Sequence, residues 1–424
     1  MNKLNRRQFN TMVGASAASL AIPLRSGAQA KSRVVVIGGG AAGATAARYI
    51  ARGAGDAIDV TLVSASDTYT SCFFSNLYLG DFRSFESITH SYDTLASRHG
   101  INVVIAYATE VDRAAKQIKL EDGSHIPYDR LVVASGIDLD YDSVPGYSAE
   151  AAEIAPHAWQ AGPQTQLLKT RLDALENGQD IVVVPPTNPY RCPPGPYERV
   201  SMMAHVLKTR GLTDSKILVI DPKPNFSKQG LFQEGWDQYY GDMIEWYGPD
   251  VHGGIVNVDA AAGAVETDLD VFEGGLLNII PAQKAGVIAA AAGLTNDTGF
   301  CPIDASTMRS TLDDNVFVVG DASIAGAMPK SAFSANSQAK VAAAAVLGDL
   351  TDSAVLPATY SNTCWSLIAT NDAVKVGAQY EPVDGKIAST STFISATGED
   401  PDLRKATYQE SIAWYEGITI DMFG

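Results

Sequence analysis

A glycine-rich turn between a strand pattern and a helix pattern constrains the fold of this chain more than any other feature. The apolar run Val34–Ile37 predicts a buried strand, Gly38–Gly43 predicts a turn, and an alanine-rich helix to about Arg52 leads to a second strand at Val60–Val63. In such a unit the first glycine permits a tight turn, the second lets the backbone approach a pyrophosphate, and the third lets the helix lie close to the sheet. We therefore predict an α/β fold that binds a dinucleotide through Gly38, Gly40 and Gly43.

The end of the second strand departs from the usual dinucleotide pattern. An acid normally binds the adenosine ribose at this position, and here the residue is Ser64. A serine hydroxyl can still hydrogen-bond a ribose hydroxyl, so Ser64 is the predicted ribose contact. Asp67 is the alternative.

Two later segments point to FAD among the dinucleotides. Tyr128–Gly136 contains a strand and an Ala-Ser-Gly turn, and Asn315–Ala322 contains a strand that ends at Gly320 and Asp321. Both resemble the FAD-domain signatures of the glutathione-reductase-like flavoproteins. The resemblance implies that Ala134, Gly136, Gly320 and Asp321 bind FAD.

The segment after Asp321 predicts a further contact to the flavin. Met328–Phe333 leads into a helix of small residues, whose N-terminus can present backbone N–H groups to the pyrimidine edge of a flavin. We assign Lys330, Ser331 and Ala332 to that contact.

The middle of the chain repeats the strand and helix plan without its glycine turn. Helices near Gln164–Leu175 and Glu198–Thr209 alternate with strands at Ile181–Val184 and Ile217–Asp221. The loop after the first of these strands carries five prolines before Gly195, and these prolines remove backbone donors and prevent a tight turn. We predict a degenerate NAD-like domain that does not use NAD(P)H as its usual donor, in which Asp221 is a relic of the ribose site.

These patterns predict two Rossmann-like dinucleotide-binding domains of the glutathione-reductase type and a small α+β C-terminal domain. The FAD-binding domain is discontinuous and takes residues 31–146 and 276–349. The NAD-like domain takes residues 147–275, and a C-terminal interface domain takes residues 350–424.

The first thirty residues resemble an export signal. Lys3, Arg6 and Arg7 precede an apolar run from Thr11 to Leu24, followed by an Ala-Gln-Ala site. Arg-Arg-Gln-Phe resembles the twin-arginine motif of proteins exported already folded, although an ordinary secretory signal is the alternative. FAD is made in the cytoplasm, so a twin-arginine route to the periplasm suits a flavoprotein.

The charge and the apolar content of the chain limit the classes of partner that it can bind. Without residues 1–30 the chain has 27 basic and 48 acidic residues and a net charge of −21, which makes nucleic acid and anionic membranes poor partners and steers basic proteins toward the surface. No segment reaches the 18 apolar residues needed to span a bilayer, so no membrane insertion is predicted. The sequence suggests no metal site.

Several motifs together resemble one family, the flavoprotein subunit of flavocytochrome c sulfide dehydrogenase, a relative of the sulfide:quinone reductases. The motifs are Gly38–Gly43, Thr70–Asn76, Tyr190–Arg199, Pro329–Lys340 and Cys364-Trp365.

The resemblance implies roles for three of the four cysteines. Cys72 matches a cysteine that forms a thioether to the flavin, although an unmodified thiol is the commoner state of an isolated cysteine. Cys192 and Cys364 match a redox-active disulfide on the flavin face, although a structural bridge between domains is the alternative. Cys192 precedes a helix that begins near Tyr197, and a helix N-terminus favours a thiolate. Cys301 is predicted to be a buried thiol.

The implied activity is oxidation of sulfide to sulfur or polysulfide. Hydrosulfide would attack the disulfide, with Cys364 favoured as the freed thiolate, and Glu198 would accept a proton or else only complement its helix dipole. The chain has no Cys-x-x-Cys-His haem motif, so the implied c-type cytochrome subunit carries haem on a separate chain. A sulfide:quinone reductase and a flavin electron-transfer or sulfur-carrier protein without turnover are the alternatives.

Overall fold

The first parallel sheet lies at the start of the part of the chain described here. The computed structural model describes residues 31–424, and the predicted export signal lies outside them. Five strands pair in parallel, with Ser32–Ile37 at the centre between Arg130–Val133 and Ile58–Ser64. Asn102–Ile105 and Val316–Val318 form the two edges. The last strand is distant in sequence, as the prediction of a discontinuous domain requires.

A second parallel sheet follows the same plan. Its order is Ile244–Tyr247, Ile217–Ile220, Ile181–Val184 and Leu276–Ile279. The apolar runs in three of these strands are almost wholly buried, whereas the edge strand Ile244–Tyr247 is half-buried. One face of the sheet packs against helices and the other against the small sheet that contains Val258 and Val265. Leu276–Ile279 lies in this second sheet, whereas the sequence predicts that the second part of the FAD-binding domain begins at residue 276. The change of domain therefore falls after residue 279.

The C-terminal part is an antiparallel sheet covered by one long helix. The strands are Tyr360–Ala369, Asp372–Val383 and Lys386–Ile394. Helix Pro401–Phe423 packs on the middle strand and also reaches helix Ala41–Ala54 of the first sheet. This part therefore touches the glycine-turn unit directly.

The remaining strands form small sheets. They are Thr68–Thr70 with Thr89–Ser91; Ala108–Asp112, Gln117–Leu120 and His125–Pro127; Ile137–Asp140 with Ala282–Ala285; Ile255–Asp259, Ala264–Thr267 and Val271–Glu273; and Cys301–Pro302 with Ser323–Ile324.

The helices connect the strands and cover the sheets. The α-helices are Ala41–Ala54, Ser75–Leu79, Asp93–His99, Pro163–Asp173, Gly195–Arg210, Gln229–Tyr240, Pro249–His252, Val287–Ala291, Ala332–Thr351 and Pro401–Phe423. Short 3-10 turns lie at Glu86–Ile88, Tyr141–Ser143, Ala151–Glu153, Gly241–Met243 and Gly320–Ala322. Among residues 31–424, none of the helices combines the length and the apolar character that a membrane crossing requires.

Candidate active site

The glycine turn forms a tight cradle at the carboxyl end of the first sheet. Gly38 has a φ of 103°, and a Cβ atom there would lie 2.3 Å from the Ala134 carbonyl oxygen. A Cβ on Gly43 would lie 1.7 Å from the Gly38 carbonyl oxygen, and one on Gly40 would lie 3.2 Å from the Tyr69 ring. The turn and the helix that follows it are therefore closer together than any side chain would allow.

A groove of about 680 Å³ runs from this turn along the ends of the strands. Ser64 lines the groove, and its hydroxyl lies 3.1 Å from the hydroxyl of Tyr92. Asp67, the alternative ribose contact, is exposed and does not line the groove. The other predicted contacts in the groove wall are Ala134, Gly136, Gly320, Asp321 and Ala332.

Asp321 supplies a polar atom without a protein partner in the groove. Its Oδ1 is buried and accepts no hydrogen bond from residues 31–424, while its Oδ2 lies 3.9 Å from Nη1 of Arg191. Burial raises the pKa of this carboxyl, although the positive charges of Arg191 and Lys330 act to lower it. An orphaned acceptor of this kind needs a donor such as a sugar or ribityl hydroxyl.

Lys330, a predicted flavin contact, binds backbone carbonyl oxygens behind the groove wall. Its Nζ donates to the carbonyl oxygens of Asp321, at 2.7 Å, and of Ser323, at 2.9 Å, and lies 3.8 Å from the centre of the Phe300 ring. Burial lowers its pKa to about 8. Lys330 therefore holds the Asp321 turn in place and does not line the groove.

The helix Ala332–Thr351 begins where the groove meets a second cavity. Ser331 caps the helix, because its Oγ accepts a hydrogen bond from the backbone N–H of Ser334 at 3.0 Å. Ala332 and Cys72 line both the groove and the second cavity. The cradle, the orphaned Asp321 oxygen and this helix N-terminus fit the phosphates, the ribityl chain and the flavin ring of FAD, in that order.

The second cavity has a volume of about 80 Å³ and contains the two cysteines of interest. Cys192 and Cys364 both line it, although they are far apart in sequence. All four cysteines are unbonded in the structure. The wall is rich in aromatic side chains: Phe73, Phe74, Trp159, Phe333, Trp365 and Trp414.

Cys192 is held by a strained loop immediately before a helix. Its φ is 54°, in the left-handed region that few non-glycine residues adopt, and its N–H donates to the Lys330 carbonyl oxygen at 2.7 Å. The helix begins at Gly195, two residues earlier than predicted, and a Cβ there would lie 2.9 Å from Sγ of Cys192. Backbone strain of this kind is characteristic of functional sites.

The electrostatics at Cys192 correct one expectation. The sequence predicted that the helix N-terminus favours a thiolate, but burial raises the pKa of Cys192 well above its ordinary value, and the nearby Cys364 and Glu198 raise it further. Burial and the neighbouring groups therefore favour the thiol form of Cys192 over the thiolate.

Cys364 lies on the strand Tyr360–Ala369 and faces two cavities. Besides the inner cavity, it lines an open cavity of about 270 Å³ on its other side. Nδ2 of Asn362 donates to Sγ of Cys364 at 3.4 Å. Burial raises the pKa of Cys364, and the Asn362 hydrogen bond and the charge of Lys228 lower it.

Glu198 lies in the first turn of the helix Gly195–Arg210, as predicted, and its carboxylate faces the inner cavity. Its oxygens accept hydrogen bonds from the backbone N–H of Leu367 at 2.9 Å and from Nδ2 of Asn76 at 2.8 Å. Burial raises its pKa above the ordinary value of a glutamate, although both hydrogen bonds oppose the shift. A raised pKa makes this carboxylate a stronger base than an ordinary glutamate, which suits a proton acceptor.

Two cationic side chains near the cysteines, Arg199 and Lys228, have no role predicted from the sequence. Arg199 is 1% exposed, donates to Asn76 Oδ1 at 3.1 Å and to two backbone carbonyls, and has its pKa lowered to about 9 by burial. It lies within the Tyr190–Arg199 motif, which could have drawn attention to it. Lys228 is 6% exposed and lies outside every motif, so no sequence signal identifies it.

In the NAD-like domain, the acid at the position that usually binds ribose takes part in an internal hydrogen-bond network. Asp221 is fully buried and accepts hydrogen bonds from the hydroxyl of Tyr197 at 2.5 Å and from Nε1 of Trp246 at 3.0 Å. Nζ of Lys223 lies 2.7 Å from its other oxygen and also donates to the Pro186 carbonyl oxygen at 2.7 Å. Asp221 is therefore a structural residue in this domain.

Cys301 is fully buried away from these cavities, and burial raises its pKa to about 12. The prediction of a buried thiol is confirmed at this position.

The two parallel sheets and the glycine cradle define a flavoprotein of the pyridine nucleotide-disulphide oxidoreductase class. The model of the family "Pyridine nucleotide-disulphide oxidoreductase" matches residues 32–184. Residues 165–281 match "Sulfide dehydrogenase [flavocytochrome c] flavoprotein chain, central", and residues 356–423 match "Flavocytochrome c sulphide dehydrogenase, flavin-binding". The chain belongs to the flavocytochrome c sulfide dehydrogenase flavoproteins and their sulfide:quinone oxidoreductase relatives.

Individual relatives are distant. The mitochondrial sulfide:quinone oxidoreductase of Dictyostelium discoideum is 21% identical over 304 residues, which are 69% of this chain and 65% of that protein. A type II NADH:quinone oxidoreductase of Staphylococcus epidermidis is 27% identical over 30% of this chain and 32% of its own length. The chain thus matches less than two thirds of the length of these curated relatives.

A solved structure of the sulfide:quinone oxidoreductase of Aquifex aeolicus has the same fold. Its TM-score is 0.69 at 18% identity, with 90% of this chain and 91% of that chain covered. The NDH2 structure from Plasmodium falciparum has a TM-score of 0.68 at 11% identity, with 92% and 97% covered. At these identities the likeness shows the fold alone.

Proposed function

We propose that this protein oxidises sulfide to sulfur or polysulfide through Cys192 and Cys364, with FAD bound in the groove. One observation carries the proposal: the two cysteines and Glu198 meet in one cavity, which joins the dinucleotide groove at Cys72. A cavity of about 80 Å³ with aromatic walls suits a small sulfur species. The family membership supports the same chemistry.

The proposed reaction begins on a disulfide between Cys192 and Cys364. Hydrosulfide attacks one sulfur, so a new S–S bond forms to that cysteine while the old S–S bond breaks, and its electron pair remains on the other sulfur as a thiolate. The proton of the new persulfide lies within the cavity that Glu198 faces, so Glu198 is the proposed acceptor. FAD, when bound, supplies an acceptor for two electrons that it can release one at a time.

Cys72 is proposed to hold the flavin covalently through a thioether. Its position where the groove meets the cysteine cavity supports this role. Acid precipitation of the mature, FAD-loaded protein tests it directly: a yellow pellet and a flavin-mass adduct on the Cys72 peptide are expected. A colourless pellet from a fully loaded sample would exclude the thioether.

The proposed electron acceptor is a c-type cytochrome on another chain, and the proposed compartment is the periplasm after export in the folded state. The family description names flavocytochrome c, and the net charge of −21 without residues 1–30 favours a basic partner surface. The absence of a haem-attachment motif from the sequence requires that haem be supplied in trans.

Steady-state turnover of the full mature protein tests the activity. Sulfide should drive reduction of a small c-type cytochrome, the variants Cys192→Ser and Cys364→Ser should lose this activity, and Cys301→Ala should retain it. Cys301 is the matched control because it is a buried cysteine outside the cavity. Wild-type activity in either serine variant would refute the proposal.

The second candidate function is sulfide:quinone oxidoreduction, the activity named for the Dictyostelium relative. Replacing cytochrome by a short-chain quinone in the same assay separates the two acceptors. Faster turnover with quinone would support the second candidate. Flavin reduction without turnover with either acceptor would indicate an electron-transfer or sulfur-carrier protein.

A further inference from the structure

A buried ammonium group lies beside the cysteine cavity without a carboxylate among its hydrogen-bond partners. Nζ of Lys228 donates to the carbonyl oxygen of Cys364 at 3.1 Å, to Oγ of Ser366 at 2.8 Å and to the carbonyl oxygen of Val374 at 3.5 Å. All three acceptors are neutral. Lys228 immediately precedes the helix Gln229–Tyr240. Its hydrogen bonds to Cys364 and Ser366 therefore connect this helix to the C-terminal sheet.

Burying a charge among neutral acceptors is unfavourable by several kcal/mol unless another charge compensates for it. Burial lowers the pKa of Lys228 to about 8, and three groups act against this shift: Cys364 most strongly, then Glu198 and Cys192. These are the groups of the cysteine site. A neutral side chain could donate to the same acceptors without the desolvation cost, so the charge itself requires an explanation.

The two sulfurs differ in how well they tolerate negative charge. Cys364 has three neighbours that favour the thiolate: the Nδ2 donor of Asn362, the ammonium of Lys228 and the side chain of Ser331. For Cys192, burial and the neighbouring groups Cys364, Glu198 and Cys72 disfavour the thiolate, and Lys228 is the weakest of its influences. The site is therefore asymmetric, and among these three neighbours of Cys364 Lys228 is the one that carries a positive charge.

We propose that Lys228 is a positioning residue that stabilises the thiolate of Cys364 when the disulfide opens, and so directs hydrosulfide to Cys192. This inference depends on the proposed function. In this step the hydrosulfide sulfur bonds to Sγ of Cys192, the Cys192–Cys364 bond breaks, and its electron pair stays on Cys364. The proton on the terminal sulfur passes to Glu198, so atoms and electrons balance without another reactant.

Alkylation of each cysteine tests the charge preference without any sulfide turnover. The FAD-loaded mature protein is reduced, treated with iodoacetamide at a series of pH values, and digested, and the rate at each cysteine is read by mass spectrometry. The open cavity of about 270 Å³ gives the reagent access to Cys364. In Lys228→Met the Cys364 rate at pH values below the thiol pKa should fall roughly ten-fold, because less of the thiol is ionised without the ammonium, while the Cys192 rate stays within about two-fold of wild type.

Two further variants separate charge from structure. Lys228→Arg should restore the Cys364 rate because it keeps the charge, and Lys228→Gln should behave like Lys228→Met while keeping a hydrogen-bond donor. Lys223→Met is the control for the loss of another buried lysine, which is 6% exposed and paired with Asp221. It should change both cysteines equally or leave both unchanged.

Equal slowing of Cys192 and Cys364 in the Lys228 variants, or an unchanged Cys364 rate in Lys228→Gln, would overturn the proposal. If Lys228→Met does not fold, the comparison of Lys228→Gln with Lys228→Arg decides the same question. Failure of the wild-type protein to oxidise sulfide would refute the proposed function but would leave the measured preference of the two thiols standing.

Discussion

The closest backbone approach in the dinucleotide cradle gives a sharp prediction about Gly43. In Gly43→Ala the new Cβ would lie 1.7 Å from the carbonyl oxygen of Gly38, 2.9 Å from its carbonyl carbon and 3.2 Å from Cβ of Ala134. Normal contact would require a shift of roughly 1.5 Å or more. The obstacle is backbone, so no side chain can rotate away.

The shift would have to move the helix Ala41–Ala54, whose buried face packs against the helix Ala332–Thr351. Overpacking of a fixed core costs about 1–3 kcal/mol and occasionally more, and here we expect about 3 kcal/mol or more because two packed elements must separate. The same shift widens the cradle, so flavin content should fall as well.

The assay is chemical unfolding of the purified mature protein, combined with the flavin-to-protein absorbance ratio. The control is Gly417→Ala, which lies in the helix Pro401–Phe423 where nothing is within 4 Å of the new Cβ. Alanine favours a helix over glycine by up to about 1 kcal/mol, so the control should be unchanged or slightly more stable. A Gly43→Ala protein with wild-type unfolding and full flavin content would show that the close approach does not limit the fold.

Three further predictions concern single side chains. Asp221→Ala should destabilise the protein by about 3–5 kcal/mol in denaturant unfolding, because it leaves the buried ammonium of Lys223 without its carboxylate; a loss below about 1 kcal/mol would contradict the internal role of this acid. Ser331→Ala should lower stability by about 1 kcal/mol through loss of the helix cap, and unchanged unfolding would show that the cap is dispensable. Burial raises the pKa of Glu198, and a proton acceptor must be ionised, so the sulfide oxidation rate should fall with decreasing pH at a value above the ordinary glutamate pKa. Glu198→Gln should remove that limb of the pH profile, and its persistence would assign it to another group.

The sheets and the cradle could be predicted because their signals are local. Four consecutive apolar residues, a glycine turn and an alanine-rich run indicate a strand, a turn and a helix within about twenty residues. The helix after Cys192 was also predicted, although its first residue is Gly195 and the prediction began near Tyr197. Helix ends are set by capping contacts that the sequence shows only weakly.

The features that the sequence did not reveal depend on contacts between distant segments. Leu276–Ile279 joins the second sheet by pairing with Ile181–Val184, and nothing within the strand itself identifies its partner. Lys228 lies 136 positions before Cys364 in the sequence, and it binds the carbonyl oxygen of that residue. The raised pKa of Cys192 could not be predicted from the sequence, because burial and Cys364, which comes from a distant strand, are its largest causes.

Anaerobic mixing of the FAD-loaded mature protein with sulfide, in the absence of any acceptor, tests most directly whether the cysteine pair links sulfide to the flavin. Sulfide should bleach the flavin absorbance in wild type and in Cys301→Ala, and should leave it unchanged in Cys364→Ser with its flavin still bound. Bleaching of the Cys364→Ser protein at the wild-type rate would contradict the account, because sulfide would then reduce the flavin without the Cys192–Cys364 pair.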